Sequence, residues 1–264
     1  MCLALKHNQN SNILISVITP AYNAERFIEA AIKSVLDQTY THWEMIIVDD
    51  HSNDSTVSIV KQYVEKDARI QLIELKENKG AGNARNTAMK QAKGRFLAFL
   101  DSDDLWLPNK LETQLNHMLR NDIGFSYTKY SLIDEYGNDS GASYAIPEKL
   151  EYKDLLKFCH IGCLTVMLDR EITGDVEMNS IRNRQDYILW LDITKRGIPA
   201  YGLNLTLSKY RKVSNSISSN KLKVSKLNWK VYREIIGLSI IKSAWYFGHY
   251  VYFYIKKIMQ QRKK

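Results

Sequence analysis

In the first hundred residues, two spacings of apolar positions alternate along the chain. A continuous apolar, β-branched run at residues 13–19 has the pattern of a strand buried on both faces, as in a parallel sheet, and further strands are expected at 44–48, 70–75 and 96–100. Between them the apolar positions fall at helical intervals. Ile28, Ala31, Ile32, Val35 and Leu36 do so after a candidate N-cap at Asn23, Val57, Val60 and Val64 follow, and a third helix is expected over residues 84–92. Pro20 stops the first strand. Strict alternation of strand and helix predicts an α/β fold, a Rossmann-like and mostly parallel sheet flanked by helices, with ligands gathered at the carboxyl ends of the strands.

Beyond Pro108 the pattern loosens. Residues 122–133 and 163–168 are expected to be strands, and the polar, glycine-containing stretch 136–144 a loop. Residues 182–196 place Asp186 at the head of the apolar run 187–191, which predicts a buried helix opening with a carboxylate, with Trp190 in the core.

The fourth strand carries the most chemistry. Leu97-Ala98-Phe99-Leu100 runs directly into Asp101-Ser102-Asp103-Asp104, three carboxylates in four residues. An isolated carboxylate out of water costs several kcal/mol, so these acids belong at the strand's exit, facing a ligand cation or capping the helix after Pro108. Oxygen-only donors suit Mn²⁺ or Mg²⁺, whose shell a nucleotide diphosphate completes. Strand one exits into Pro20-Ala21-Tyr22-Asn23 and strand two into Asp49-Asp50, which would put three polar clusters on one sheet edge. Capping explains one cluster, not three.

Composition adds compartment and partners. With 264 residues, 45% hydrophobic and 25% charged, the chain is globular, one large domain with an appendage. Cys2, Cys159 and Cys163 match neither metal nor disulfide spacing and the N-terminus carries no apolar leader core, so a reducing, cytoplasmic setting is expected. The net charge of +8 is concentrated at one end: from Lys221 to Lys264 there are eleven basic residues against Glu234, leaving residues 1–220 slightly acidic. That distribution argues against nucleic acid and for an anionic membrane surface. Val224, Leu227, Val231, Ile235 and Leu238 fall on one helical face beside Lys223, Lys226, Lys230 and Arg233. An aromatic stretch through Trp245, Tyr246, Phe247, Tyr250, Tyr252, Phe253 and Tyr254 follows. Lys242 and His249 oppose a spanning helix. The expected division is therefore a body over residues 1–220 and a basic, aromatic helical tail over 221–264, lying peripherally on the inner face of the cell membrane or, alternatively, forming a homo-oligomer interface.

The segments SVITPAYNAERFIEAAIKSVLDQTY, WEMIIVDDHSNDST, NKGAGNARNTAMKQAKGRFLAFLDSDDLWLPNKLETQ and RQDYILWL, in this order and spacing, resemble the inverting family 2 glycosyltransferases of GT-A fold, especially bacterial enzymes of cell-surface polysaccharide assembly. The resemblance spans about residues 15–220. It implies that Pro20, Tyr22, Glu25 and Asp49 line the nucleotide base pocket, with Asp50 supporting it, and that Arg85 faces the nucleotide. It further implies that Asp101 and Asp103 are the DxD pair, Asp103 the direct metal ligand, that Asp104 meets the sugar or ribose, and that Ser102 belongs to the nucleotide-sugar site. Asp186 matches the general base; the family more often has Glu-Asp where this chain has Gln185-Asp186. A UDP-sugar donor and a saccharide or lipid-linked acceptor are implied, with Mn²⁺ or Mg²⁺ as Lewis acid on the leaving group.

Three other readings compete. Asp101-Ser102-Asp103 after an apolar strand also resembles the nucleophile loop of haloacid-dehalogenase-like phosphatases, but Leu105 stands where Thr or Val is usual and the motif follows the fourth strand rather than the first. A dinucleotide-binding dehydrogenase needs a glycine-rich turn after strand one, and Pro20-Ala21-Tyr22-Asn23 has no glycine. A non-catalytic nucleotide-sugar-binding protein would not need both Asp103 and Asp186.

Overall fold

The computed structural model describes residues 12–143, 145–213 and 221–262. Cys2, Lys263 and Lys264 lie outside the described residues, as do the expected boundary at residue 220 and the side chains of Lys223 and Val224.

The first half follows the predicted alternation: β1 (Ile15–Ala21), α1 (Ile28–Leu36), β2 (Trp43–Asp49), α2 (Thr56–Val64), β3 (Ile70–Glu74), α3 (Ala81–Gln91) and β4 (Phe96–Phe99). After it come β5 (Leu105–Trp106), α4 (Lys110–Asn121), β6 (Phe125–Ile133), β7 (Asp139–Ser143), β8 (Lys149–Leu150), α5 (Tyr152–Lys157), β9 (Met167–Asp169), α6 (Arg170–Thr173), α7 (Gln185–Lys195) and β10 (Ala200–Arg211). The sheet runs β3-β2-β1-β4-β9-β6-β10-β5. Its β3-β2-β1-β4 half is wholly parallel, and β9 enters antiparallel to both β4 and β6. The result is a mixed α/β, GT-A-like architecture with a mostly parallel central sheet and a C-terminal helical tail.

Residues alternate across the sheet and build two cores. Ile15, Val17, Met45 and Ile47 face α1, α2 and α4, whereas Ile18, Ile46, Val48 and Phe99 face α3, α5 and α7. Trp190 of α7 is fully buried, as its apolar helix predicts, with its ring 5.7 Å from Phe99 and 5.1 Å from Phe125. Such aromatic pairs contribute about 0.5–1.5 kcal/mol each beyond area burial.

Several local expectations change. Asn23 does not cap α1, which starts at Ile28 after a turn closed by Phe27 N–H on Ala24 O. Residues 139–143 are a strand rather than a loop. Asp134 accepts from the backbone N–H groups of Tyr136 and Asn138, and Gly137 takes φ +89, so the chain turns back onto β6 as a hairpin. β10, which no simple period marked, is interrupted by register shifts around Thr206.

The tail departs most. α8 (Lys221–Lys230) passes into a π-turn over Val231–Ile235, and the path breaks at Gly237, φ +73, before α9 (Ile240–Arg262). The expected stripe from Val224 to Leu238 is therefore not one continuous helix. Val231 and Tyr232 are buried in the body's core, with the Tyr232 hydroxyl donating to Leu156 O at 2.7 Å. Among the described residues no helix is long and apolar enough to cross a membrane.

One buried charge gives a stability prediction. Lys110 is wholly inaccessible, donates to Gln114 Oε1 at 2.8 Å and lies 4.3 Å over the Trp106 ring, and burial pulls its ammonium down to about 7. Below that pH the folded chain bears the full cost of a buried cation. Between about 7 and 10.5 the unfolded chain holds a proton that the folded chain has released, so stability rises with pH by up to ~1.4 kcal/mol per unit from this group. Urea denaturation of Lys110→Met at pH 7 and 9 is expected to lose this rise. Parallel pH profiles for the two proteins would contradict it.

Candidate active site

The carboxyl ends of β1, β2 and β4 form one edge because their registers align: Ile18 opposite both Ile46 and Phe99, and Ala21 opposite Asp49. The loops leaving that edge are cross-linked by their own polar side chains. Asn23 N–H donates to Ser52 Oγ at 2.9 Å, Asn53 N–H to Asn23 Oδ1 at 2.9 Å, and Ser55 N–H to Glu25 Oε2 at 2.9 Å. Asp49, almost fully buried, accepts from Ser52 N–H at 2.8 Å and from its hydroxyl. Pro20 is buried inside β1, whereas Tyr22 is half exposed at the loop's lip. Asp50 supports a different loop from the one expected, receiving the N–H groups of Lys79 and Gly80 at 2.8 and 2.7 Å.

Asp50 thereby fixes the start of α3, whose Gly82-Asn83-Ala84-Arg85-Asn86 does three jobs. Arg85, buried, pairs through Nη2 with Asp101. Burial disfavours its charge, but Asp101, with Asp186 also in reach, holds the guanidinium protonated above its usual range. Asn86 clasps the segment before α7 in both directions, donating to Met178 O at 2.8 Å and accepting from Met178 N–H at 2.7 Å. Gly82 permits the close approach of α3 to α7: a Cβ there would stand 2.9 Å from Gln185 Cγ and 3.0 Å from Asn179 O. Gln185 is spent on this packing, and its neighbour Asp186 is left partly open at the head of α7.

Asp101, Ser102 and Asp103 are each partly accessible, and Asp104 N–H closes their turn on Asp101 O at 3.1 Å. Asp104 sits behind them, 1% exposed, accepting from Arg211 N–H at 2.8 Å with its other oxygen unpartnered. Burial, then Asp103 and Asp101, push Asp104 well above the usual carboxylate range, and burial followed by Asp101 pushes Asp103 up to about 6. Crowding therefore makes it costly to ionise all three carboxylates together, although Arg85 pairs with Asp101. Among the described residues no three His, Cys, Asp or Glu side chains converge as a ligating group. The fit to Mg²⁺ or Mn²⁺ is therefore that of two carboxylates, Asp103 and Asp101, with substrate oxygens filling the shell.

Arg211, not singled out by its sequence position, ties the site together. Its Nε donates to Asp103 O at 2.8 Å, Nη1 reaches Asp134 O and Glu135 O at 3.1 and 3.2 Å, and the guanidinium lies 4.9 Å over the Phe27 ring. A basic residue ending a strand that carries irregular periodicity gives little sequence signal. Asn23, His51 and Arg184 take positive φ values of 46°, 67° and 67°, the first two in the loops leaving β1 and β2 and the third at the start of α7. Backbone strain of this kind, about 1–3 kcal/mol per residue, persists where surrounding structure fixes it.

Comparison with known proteins now bears on the arrangement. The glycosyl transferase family 2 profile matches residues 16–173. The chain is 52% identical over 244 residues to TuaG of Bacillus subtilis, a glycosyltransferase named for teichuronic acid biosynthesis, covering 92% of this chain and 97% of that one. It is 44% identical over 245 residues to WfgD of Escherichia coli, named a UDP-Glc:alpha-D-GlcNAc-diphosphoundecaprenol beta-1,3-glucosyltransferase, covering 92% and 94%. Among solved structures, Staphylococcus aureus TarS 1–349 in complex with UDP-GlcNAc superposes with a TM-score of 0.66 at 20% identity, over 84% of this chain and 67% of that one. The Pyrobaculum calidifontis mannosyltransferase PcManGT, in complex with GDP-Man and Mn²⁺, does so at 0.65 and 18% identity, over 88% and 69%.

Proposed function

The chain belongs to glycosyl transferase family 2, and on that footing we propose that it moves a hexose from a UDP-sugar to a lipid-linked sugar diphosphate in cell-surface polysaccharide synthesis, with inversion. What supports this reading is the Arg85–Asp101 ion pair at the exit of β4, beside the Gly82 contact that seats the head of α7, with Asp186 on it, against α3. The donor and acceptor classes follow the names of WfgD and of a second E. coli relative, WfaP, 40% identical over 210 residues.

Pro20, Tyr22, Glu25 and Asp49 bind the uridine, Arg85 the diphosphate side of the nucleotide, and Ser102 and Asp104 shape the sugar end. Asp186 takes the proton from the acceptor hydroxyl as its oxygen bonds to the anomeric carbon. The bond from that carbon to the diphosphate breaks in the same displacement, so an α-linked donor gives a β-glycoside. Bound at Asp103 and Asp101, Mn²⁺ or Mg²⁺ supplies Lewis-acid stabilisation of the leaving diphosphate. A screen of nucleotide-sugars for cation-dependent thermal stabilisation tests the donor: UDP-sugars are expected to raise Tm most. Stabilisation by other nucleotides alone would overturn it.

The body over residues 1–220 works on its acceptor at the inner face of the membrane, held there by the tail. Ile241, Trp245, Tyr252 and Ile255 of α9 lie within about 80° of one another around the helix, and all are exposed, while Tyr250 on the opposite face is buried. Lys242 and Lys256, both exposed, border one side of the stripe. Aromatic and aliphatic groups beside lysines match an anionic interface. Because Tyr232 and Val231 belong to the core, point changes test this better than truncation. Trp245→Ser with Tyr252→Ser is expected to leave folding intact and abolish sedimentation with vesicles containing phosphatidylglycerol. Unchanged sedimentation overturns the membrane reading, and dissociation of an oligomer in its place would assign the stripe to a second copy.

A further inference from the structure

A lipid-linked sugar diphosphate brings its own negative charge, separate from that of the donor, to within one sugar ring of the attacked hydroxyl. It needs cations near Asp186 that are not already spent on carboxylates. Arg85 does not qualify, because it is already assigned to the donor nucleotide beside Asp101. Arg182 and Arg184 do. They stand four and two residues before Asp186, and among the described residues neither makes an ion pair.

Their placement is specific. Arg184 holds φ +67, outside the range that a bulky side chain ordinarily adopts, and its guanidinium lies 5.6 Å over the Tyr187 ring. The Tyr187 hydroxyl donates to Leu155 O, and Tyr232, at the root of the tail, meets both Tyr187 and the field of Arg184. Tyr232 in turn packs on Tyr246 of α9, ring centroids 6.4 Å apart. Arg184 therefore stacks on Tyr187 two residues before the base, and Tyr187 shares the core with Tyr232 at the root of the tail. Arg182 lies over Gly80 and reaches Asn78 Oδ1 at 3.5 Å, bordering the same cleft from the α3 side.

We propose that Arg184, with Arg182 beside it, binds the diphosphate of the acceptor. A lipid held at α9 would then lead through its diphosphate at Arg184 to its sugar at Asp186. The inference rests on the acceptor reading above and adds the residues that select for it. Guanidinium groups suit this role because their fork donates to two phosphate oxygens at once.

The test compares two acceptors for the full-length enzyme, decyl diphosphate-linked α-GlcNAc and decyl α-GlcNAc without phosphate. Arg184→Asn is the informative variant, since Asn tolerates the left-handed backbone. It is expected to raise KM for the diphosphate acceptor by ~10–100-fold, leave KM for the neutral glycoside and the Kd for UDP within about twofold, and be partly rescued by Arg184→Lys. Equal losses with both acceptors, or a parallel loss of UDP affinity, overturn the subsite while leaving the acceptor reading standing. A native enzyme that shows no preference for the diphosphate acceptor overturns both.

Discussion

Asp186→Asn is expected to lower kcat by ~10²–10⁴-fold with UDP-sugar affinity unchanged within about twofold, the usual worth of a positioned general base. The amide preserves the shape of the side chain and cannot accept the acceptor's proton. Gln185, packed against α3, keeps the head of α7 in place in the variant, so the loss belongs to chemistry rather than to folding. Steady-state kinetics with calorimetry of UDP binding checks the split. Near-native turnover would remove Asp186 from the role of base, and equal loss of donor affinity would make it a binding residue.

Asp103→Ala is expected to abolish the dependence of UDP affinity on Mn²⁺. The physical reason is the crowding of carboxylates at the exit of β4: burial and Asp101 already push Asp103 up to about 6, and a divalent cation is the natural compensation for that repulsion. The alanine relieves the repulsion and removes one of the two proposed ligands, so the fold is expected to persist while the cation loses its purchase. Titration of UDP into native and variant protein with Mn²⁺ or with EDTA measures this. A variant that retains the full Mn²⁺ effect would place the metal elsewhere.

The first four strands and their three helices were legible because short apolar runs alternate with helical spacing, and the run 13–19, ended by Pro20, is too short and too β-branched for a helix. The edge where β1, β2 and β4 end followed from topology, which placed the exits at Pro20, Asp49 and Asp101 side by side; Arg85 came only from the family resemblance, and its pairing with Asp101 is a structural finding. What escaped were contacts between distant segments. Nothing near Gly82 in sequence says that Gln185 will lie against it, and Arg211 reads as an ordinary basic residue until β10 brings its side chain to Asp103 and Asp134. Asn86 is similar: its clasp on Met178 spans 92 residues. The tail was legible in composition but not in path, because Gly237 breaks a helical period that Leu238 continues in register. The amphipathic surface therefore moved from the stripe ending at Leu238 to the outer face of α9.

Transfer itself is the most direct test of the proposed activity. The full-length protein, incubated with UDP-glucose, Mn²⁺ and decyl diphosphate-linked α-GlcNAc, is predicted to form a disaccharide diphosphate whose new linkage is β by proton NMR, with product lost on chelation of the metal and in Asp186→Asn. An α-linked product, or release of glucose and UDP without a glycosidic product, would contradict it.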